Sequence, residues 1–279
     1  MAFVRQLDKD KITRLLDNNT MEGKIYNELL LPDIMEGHVF VGIRDNKVDF
    51  YAGGNIFFSY YGSSFKINSK IYGKSKDSKM ISVNRVFPEG IKDKYLWIWK
   101  QCNEYASENR EQEERKILKR YFPAYNRKVS VIVLDREIRL NSDGSKGKCD
   151  WLLYNVETRQ LKFVEVKRDS HKCLRRHHDG IFDVISQLNG YSRQYEIYKD
   201  NIVMQYRKYV GILNQLLGLS LPVPEELLDT VAGLAIFVQC GVDIDKSLIA
   251  EIKPFIGNTS VKLTEIWEHF AIVSKGNKL

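Results

Sequence analysis

Hydrophobic and polar positions along the chain change period several times, and each change predicts an element. Apolar residues at helical spacing predict short helices over residues 9–16 and 23–31. From His38 through Ile71 the spacing becomes that of strands. Runs at 39–43 and 47–51 flank Arg44-Asp45-Asn46, a tight-turn composition, and Gly53-Gly54-Asn55 marks a second turn before a run at 56–61. A small antiparallel meander is expected there, with its alternating aromatics read as core and stacking on unpaired bases as the alternative. Residues 95–122 then carry the periodicity of one long helix with a charged middle. Strands are predicted over 129–139, 149–154 and 161–167, a helix over 179–199 continuing to about 217, and a strand over 231–239. Pro222 and Pro224 end the helical region. A helix between two strands of one sheet implies a right-handed parallel crossover. Further helices are expected around 245–253 and 263–270.

The resulting organisation is a β-rich accessory region (1–90), an α/β core with a mixed sheet flanked by helices (91–240) and a C-terminal helical extension (241–279). A hydrophobic content of 43% over 279 residues is ample for a buried core. No run approaches the ~20 apolar residues of a membrane helix, and the charged start does not read as an export signal. A cytoplasmic protein with no membrane partner is expected. Cys102, Cys149, Cys173 and Cys240 lie far apart, so they read as free thiols rather than as disulfides, an iron–sulfur cluster or, with His171, His177 and His178, a zinc site.

Charge adds a direction. Lys and Arg number 43 against 36 Asp and Glu, a net charge of +7, which favours polyanionic partners. The basic residues cluster: Lys162, Lys167, Arg168, Lys172, Arg175 and Arg176 crowd the third core strand and the loop after it. Of these, Arg168, Lys172, Arg175 and Arg176 are the candidates for gripping phosphates without reading bases.

Candidate chemistry sits between these basic residues. Asp150 opens one apolar run and Glu165-Val166-Lys167 closes the next, with a polar stretch of hairpin-turn length between them. Side chains alternate along a strand, so Glu165 and Lys167 share a face, and two carboxylates and an ammonium would converge. Burying unpaired charge is costly, whereas a divalent cation needs oxygen ligands of this kind. Other acid-x-Lys triplets, such as Glu22-Gly23-Lys24, Asp45-Asn46-Lys47 and Glu251-Ile252-Lys253, lack the preceding strand that begins with Asp. Downstream, Gln187 and Tyr191 are four apart and share a helical face. Upstream, three, four and seven residues before Ile117, Leu118 and Tyr121 is Glu114, an acid on the apolar face of the long helix, with Glu111 and Glu113 as fallbacks.

Asp150, Glu165 and Lys167 resemble the core of the PD-(D/E)xK nuclease superfamily, and Gln187 with Tyr191 is similar to the Gln-x-x-x-Tyr helix of its RecB-like members. The resemblance covers the chain from about residue 91 and leaves the meander aside. It implies a restriction-endonuclease-like αβββαβ core and metal-dependent hydrolysis of phosphodiesters, with DNA favoured over RNA and endonuclease or exonuclease action open. It further implies Mg²⁺ or Mn²⁺ held by Asp150, Glu165, the Val166 carbonyl and Glu114. Lys167 would orient water and offset phosphate charge, while Gln187 and Tyr191 would position water or backbone. A homodimer or a partner protein is compatible with it. The alternatives are a catalytically inactive nucleic-acid-binding subunit and a protein-interaction module whose acidic cluster is an ion-pair network.

Overall fold

The computed structural model describes residues 3–69, 79–86, 90–105, 122–127, 130–140, 148–168, 183–228, 233–237 and 270–273. Two compact units divide the chain: Val4–Lys128 with Lys208–Leu221, and Met1–Phe3 with Val129–Arg207 and Pro222–Leu279. The molecule is mixed α/β, with two mostly antiparallel sheets and flanking helices.

In the first unit, α1 (Lys9–Leu16) buries Ile12 and Leu15. The helix expected over 23–31 is three consecutive pieces. Thr20 caps α2 (Met21–Ile25) by accepting the Gly23 N–H at 2.9 Å. A π-helical turn, Tyr26–Leu30, follows, and then α3 (Leu31–Met35). Pro32 lacks the N–H that an α-helix would direct to the Glu28 carbonyl, and the Leu31 N–H reaches back five residues to Tyr26.

The meander comprises β1 (Phe40–Ile43), β2 (Val48–Ala52) and β3 (Asn55–Tyr60), extended by β4 (Phe65–Asn68) and β5 (Met80–Ser82). Its strands pair antiparallel in sequence order. Asn46 at φ 53° and Gly53 and Gly54 at φ 58° and 86° make the two tight turns that the sequence marks. Phe50, Phe57, Phe58, Tyr60 and Phe65 are buried, so the aromatics are core. A short helix α4 (Val83–Val86) precedes α5 (Lys92–Tyr105).

Of the helix expected over 95–122 the described part is α5, which packs on β2 and β3 of the meander. The physical reason is local. The Phe57 and Tyr95 rings meet at 5.2 Å, the Cys102 thiol donates to the Ala52 carbonyl at 3.1 Å and Asn55 reaches the Cys102 carbonyl at 3.3 Å.

The second unit is built on β6 (Val131–Ile138), β7 (Cys149–Asn155), β8 (Gln160–Arg168), β9 (Glu226–Leu227), β10 (Gly233–Phe237) and β11 (Phe270–Val273). Sheet order is β11-β10-β8-β7-β6, with β9 also beside β8. β8 runs parallel to β10 and β9, while the other pairs are antiparallel. The parallel return comes through α6 (Asp183–Leu217), as the crossover argument requires. Tyr206 on α6 donates to Asp135 Oδ2 on β6 at 2.8 Å, which ties this helix to the sheet.

Phe270, the last residue of the helix expected over 263–270, instead opens the strand Phe270–Val273, and the rest of that expected helix lies outside the described residues. The run of Phe-Ala-Ile-Val satisfies the outer edge of β10 with ladder hydrogen bonds, which a helix cannot supply. The helix expected at 245–253 lies outside the described residues.

Candidate active site

The site begins where a ladder ends. β7 and β8 pair from Asn155↔Gln160 to Trp151↔Val164, and no further. One residue beyond, the Asp150 carboxylate accepts the Val166 N–H at 2.8 Å, so a side chain takes over from the strand partner. That bond fixes the carboxylate against β8. Glu165, only 1% exposed, and Lys167, 7% exposed, are buried on the alternate positions of β8. The Lys167 ammonium donates to Glu165 Oε1 and lies 3.9 Å from Asp150 Oδ2. The two carboxylates and the ammonium therefore converge, as the strand pattern predicts.

On α6, Val184, Ile185 and Leu188 are buried and Gln187 is half-buried. Gln187 Nε2 donates to the Tyr191 hydroxyl at 2.8 Å, and that hydroxyl donates to the Lys148 carbonyl at 2.6 Å, just ahead of β7. Burial first, then the neighbouring Glu165 charge, holds the Tyr191 phenol far above its ordinary range. It therefore keeps its proton and serves as a hydrogen-bond donor. Five predicted residues come together here: Asp150, Glu165, Lys167, Gln187 and Tyr191. Val166 joins them through its backbone.

Glu114, Lys172, Arg175 and Arg176 lie outside the described residues, as do Glu111, Glu113, Cys173, Cys240 and the three histidines near them. Arg168 is the last residue of β8.

Four neighbours are absent from the sequence reading of the site. Cys149, read there only as a free thiol, is buried beside Asp150, and its thiol is pushed well up by burial and then by Glu165. Phe163, two residues before Glu165, stacks on Tyr195 of α6 at 4.0 Å. Tyr195 had a legible signal, since it continues the four-residue spacing of Gln187 and Tyr191. Glu137 stands opposite Asp150 in the β6–β7 register, between Arg136↔Trp151 and Ile138↔Cys149. Its carboxylate, on a residue at φ 50°, pairs with Arg136 at 3.3 Å and Lys148 at 3.5 Å.

Among the described residues no group of three or more His, Cys, Asp or Glu is placed to hold a metal ion. The donors at the ladder's end are all oxygen, from carboxylates on adjacent strands. That chemistry suits a hard cation such as Mg²⁺, which is often bound by one or two carboxylates, several waters and a substrate phosphate.

Among the described residues no helix is long and apolar enough to cross a membrane. Comparison of the chain with models of known protein families, with curated proteins and with solved structures finds no match.

Proposed function

We propose that the chain is a metal-dependent nuclease of the PD-(D/E)xK type, hydrolysing phosphodiester bonds with DNA favoured over RNA, on a restriction-endonuclease-like core. The observation that carries this reading is the end of the β7–β8 ladder, where Asp150, Glu165 and Lys167 converge beside the hydrogen-bonded pair Gln187 and Tyr191.

Asp150 and Glu165 would hold Mg²⁺ or Mn²⁺, with the Val166 carbonyl and Glu114 as the further donors that the resemblance implies. When bound, such a cation supplies Lewis-acid polarisation of the phosphate and a lower pKa for the attacking water. Lys167 supplies a positive charge fixed by burial, able to orient that water and to offset charge on the phosphate in the transition state. Tyr191, spent on the Lys148 carbonyl, orients Gln187 rather than exchanging protons itself. Arg168, Lys172, Arg175 and Arg176 would grip phosphates on either side of the scissile bond.

The test is cleavage of linear and circular DNA and of RNA with Mg²⁺ or Mn²⁺, together with calorimetric titration of Mn²⁺. Wild type should cleave, and Asp150→Ala should lose both cleavage and metal affinity. Unchanged Mn²⁺ binding in Asp150→Ala removes Asp150 from the site. A wild-type protein that binds nucleic acid without cutting it is the inactive binding subunit instead. One that does neither is an interaction module whose acid–lysine cluster is structural.

A further inference from the structure

Strand and helix repeats are commensurate on the face of β8 that meets α6. Two residues advance about 6.7 Å along a strand, and four advance about 6 Å along a helix. Phe163, Glu165 and Lys167 step along β8 by twos, and Gln187, Tyr191 and Tyr195 step along α6 by fours. The two series meet where Phe163 faces Tyr195. The Phe163 and Tyr195 rings lie 4.0 Å apart and 13° from parallel. One turn away, the Tyr191 hydroxyl donates to the Lys148 carbonyl at 2.6 Å, two residues before Asp150. Tyr191 and Tyr195 are themselves near parallel, at 6.2 Å and 20°.

Tyr195 is 1% exposed, and its hydroxyl approaches the Cys149 thiol with no other hydrogen-bond partner among the described residues. Its ring, not its hydroxyl, makes the defining contacts.

We infer that Tyr195 is a positioning residue of the site: its ring, stacked on Phe163 and near parallel to Tyr191, sets the register of α6 against β8 and so keeps Tyr191 and Gln187 at the end of the β7–β8 ladder. The inference rests on the nuclease reading and adds to it a residue that touches neither cation nor substrate. A flat ring stacked closely on Phe163 resists sliding along the helix axis, because any slide forfeits that contact. A flexible aliphatic side chain fills similar space without that restraint.

The experiment compares Tyr195→Leu, Tyr195→Phe, Tyr191→Phe and the double variant Tyr191→Phe with Tyr195→Leu in cleavage assays on the full chain. Tyr195→Leu should lower kcat on the order of 10- to 100-fold, as small misplacements of catalytic groups do, with KM unchanged. Tyr195→Phe should restore wild-type kcat. Adding Tyr191→Phe to Tyr195→Leu should cost little more, because the second change removes an interaction already lost. A second readout needs no activity: the carbon-13 resonance of the Tyr191 ring carbon bearing the hydroxyl should move in Tyr195→Leu and stay in Tyr195→Phe. A folded Tyr195→Leu protein with wild-type kcat, independent effects in the double variant, or an unmoved Tyr191 resonance would overturn the inference. If Tyr195→Leu does not fold, Tyr195→Met and Phe163→Leu carry the same outcomes. If wild type cleaves nothing, the nuclease reading falls by itself, and the Tyr191 resonance still decides whether Tyr195 positions this helix.

Discussion

Each unit pairs a buried acid with a lysine two residues away, and the two pairs are finished differently: Lys47, just ahead of β2, is 30% exposed, whereas Lys167 lies on β8 and is buried. In the meander, Lys47 donates to both oxygens of Asp49 at 3.0 and 2.8 Å, and the Ser59 hydroxyl adds a third donor at 2.5 Å. Asp49 sits in mid-ladder, opposite Gly42 on one side and Ser59 on the other. That carboxylate is enclosed by its own sheet. Glu165 and Lys167 instead sit where the β7–β8 ladder stops, with a second carboxylate from the neighbouring strand and a hydrogen-bonded Gln–Tyr pair on the covering helix. Acid–lysine spacing is therefore common to a structural ion pair and a candidate catalytic one. The end of the ladder separates them, because only there does a second strand bring another acid to the same lysine.

The largest expected effect tests the catalytic side. Lys167→Ala should reduce cleavage by a factor of at least about 10², with nucleic-acid binding largely kept, since the loss falls on transition-state charge rather than on most phosphate contacts. Near-wild-type cleavage rates would make the two pairs equivalent and sink the mechanism. Asp49→Ala should do the opposite. It removes the acceptor of the buried Ser59 hydroxyl, while the part-exposed Lys47 is left to solvent, and should cost about 1–3 kcal/mol of unfolding free energy, with cleavage per folded molecule unchanged. Denaturant titration and turnover on the same samples check both halves.

Helix α6 permits the same contrast between adjacent residues. Leu188→Ala, a buried large-to-small change, should cost roughly 2–5 kcal/mol, whereas Gln187→Ala should lower turnover with little change in melting temperature. A Gln187→Ala protein that loses stability but keeps full activity per folded molecule would make the Gln-x-x-x-Tyr resemblance coincidence.

A smaller effect follows from Cys149. Its folded-state pKa is raised, so the native state holds the proton that the unfolded thiol releases above about 8.5. The contribution is fully present below that pH and is lost as pH rises toward the folded value. Melting temperature should fall with rising pH from about pH 8.5, and Cys149→Ala should flatten that fall. Equal slopes in the two proteins would mean that the thiol is not buried as described.

The smallest effect asks which basic surface meets nucleic acid. Lys66 and Lys47 lie over the ring of the partly exposed Tyr61 in the meander, at 4.4 and 5.8 Å. Arg175→Ala with Arg176→Ala should flatten the slope of log affinity against log salt by about one unit per phosphate contact removed. A wild-type slope there, with a flattened slope for Lys66→Ala, would move the binding surface to the meander.

Alternation of apolar and polar residues was enough to locate α1, the first three meander strands and β6 through β8, because local period reports which face is buried. It was also enough to nominate Asp150, Glu165 and Lys167, since a strand that carries acid and lysine on one buried face must satisfy them. Spacing within α6 likewise joined Gln187 to Tyr191. The helix expected from residue 95 begins as α5, whose apolar residues announce burial but not the sheet they are buried against. The sequence was misleading at Phe270, where the end of a helix was expected and a strand begins along the edge that β10 offers. Only the tertiary structure decided that the Asp150 carboxylate caps the Val166 N–H, that Asp49 is enclosed while Glu165 meets a second acid, and that Tyr195 stacks on Phe163. The physical reason is that periodicity is a property of one segment, whereas each of these contacts joins residues brought together by the register of one element on another.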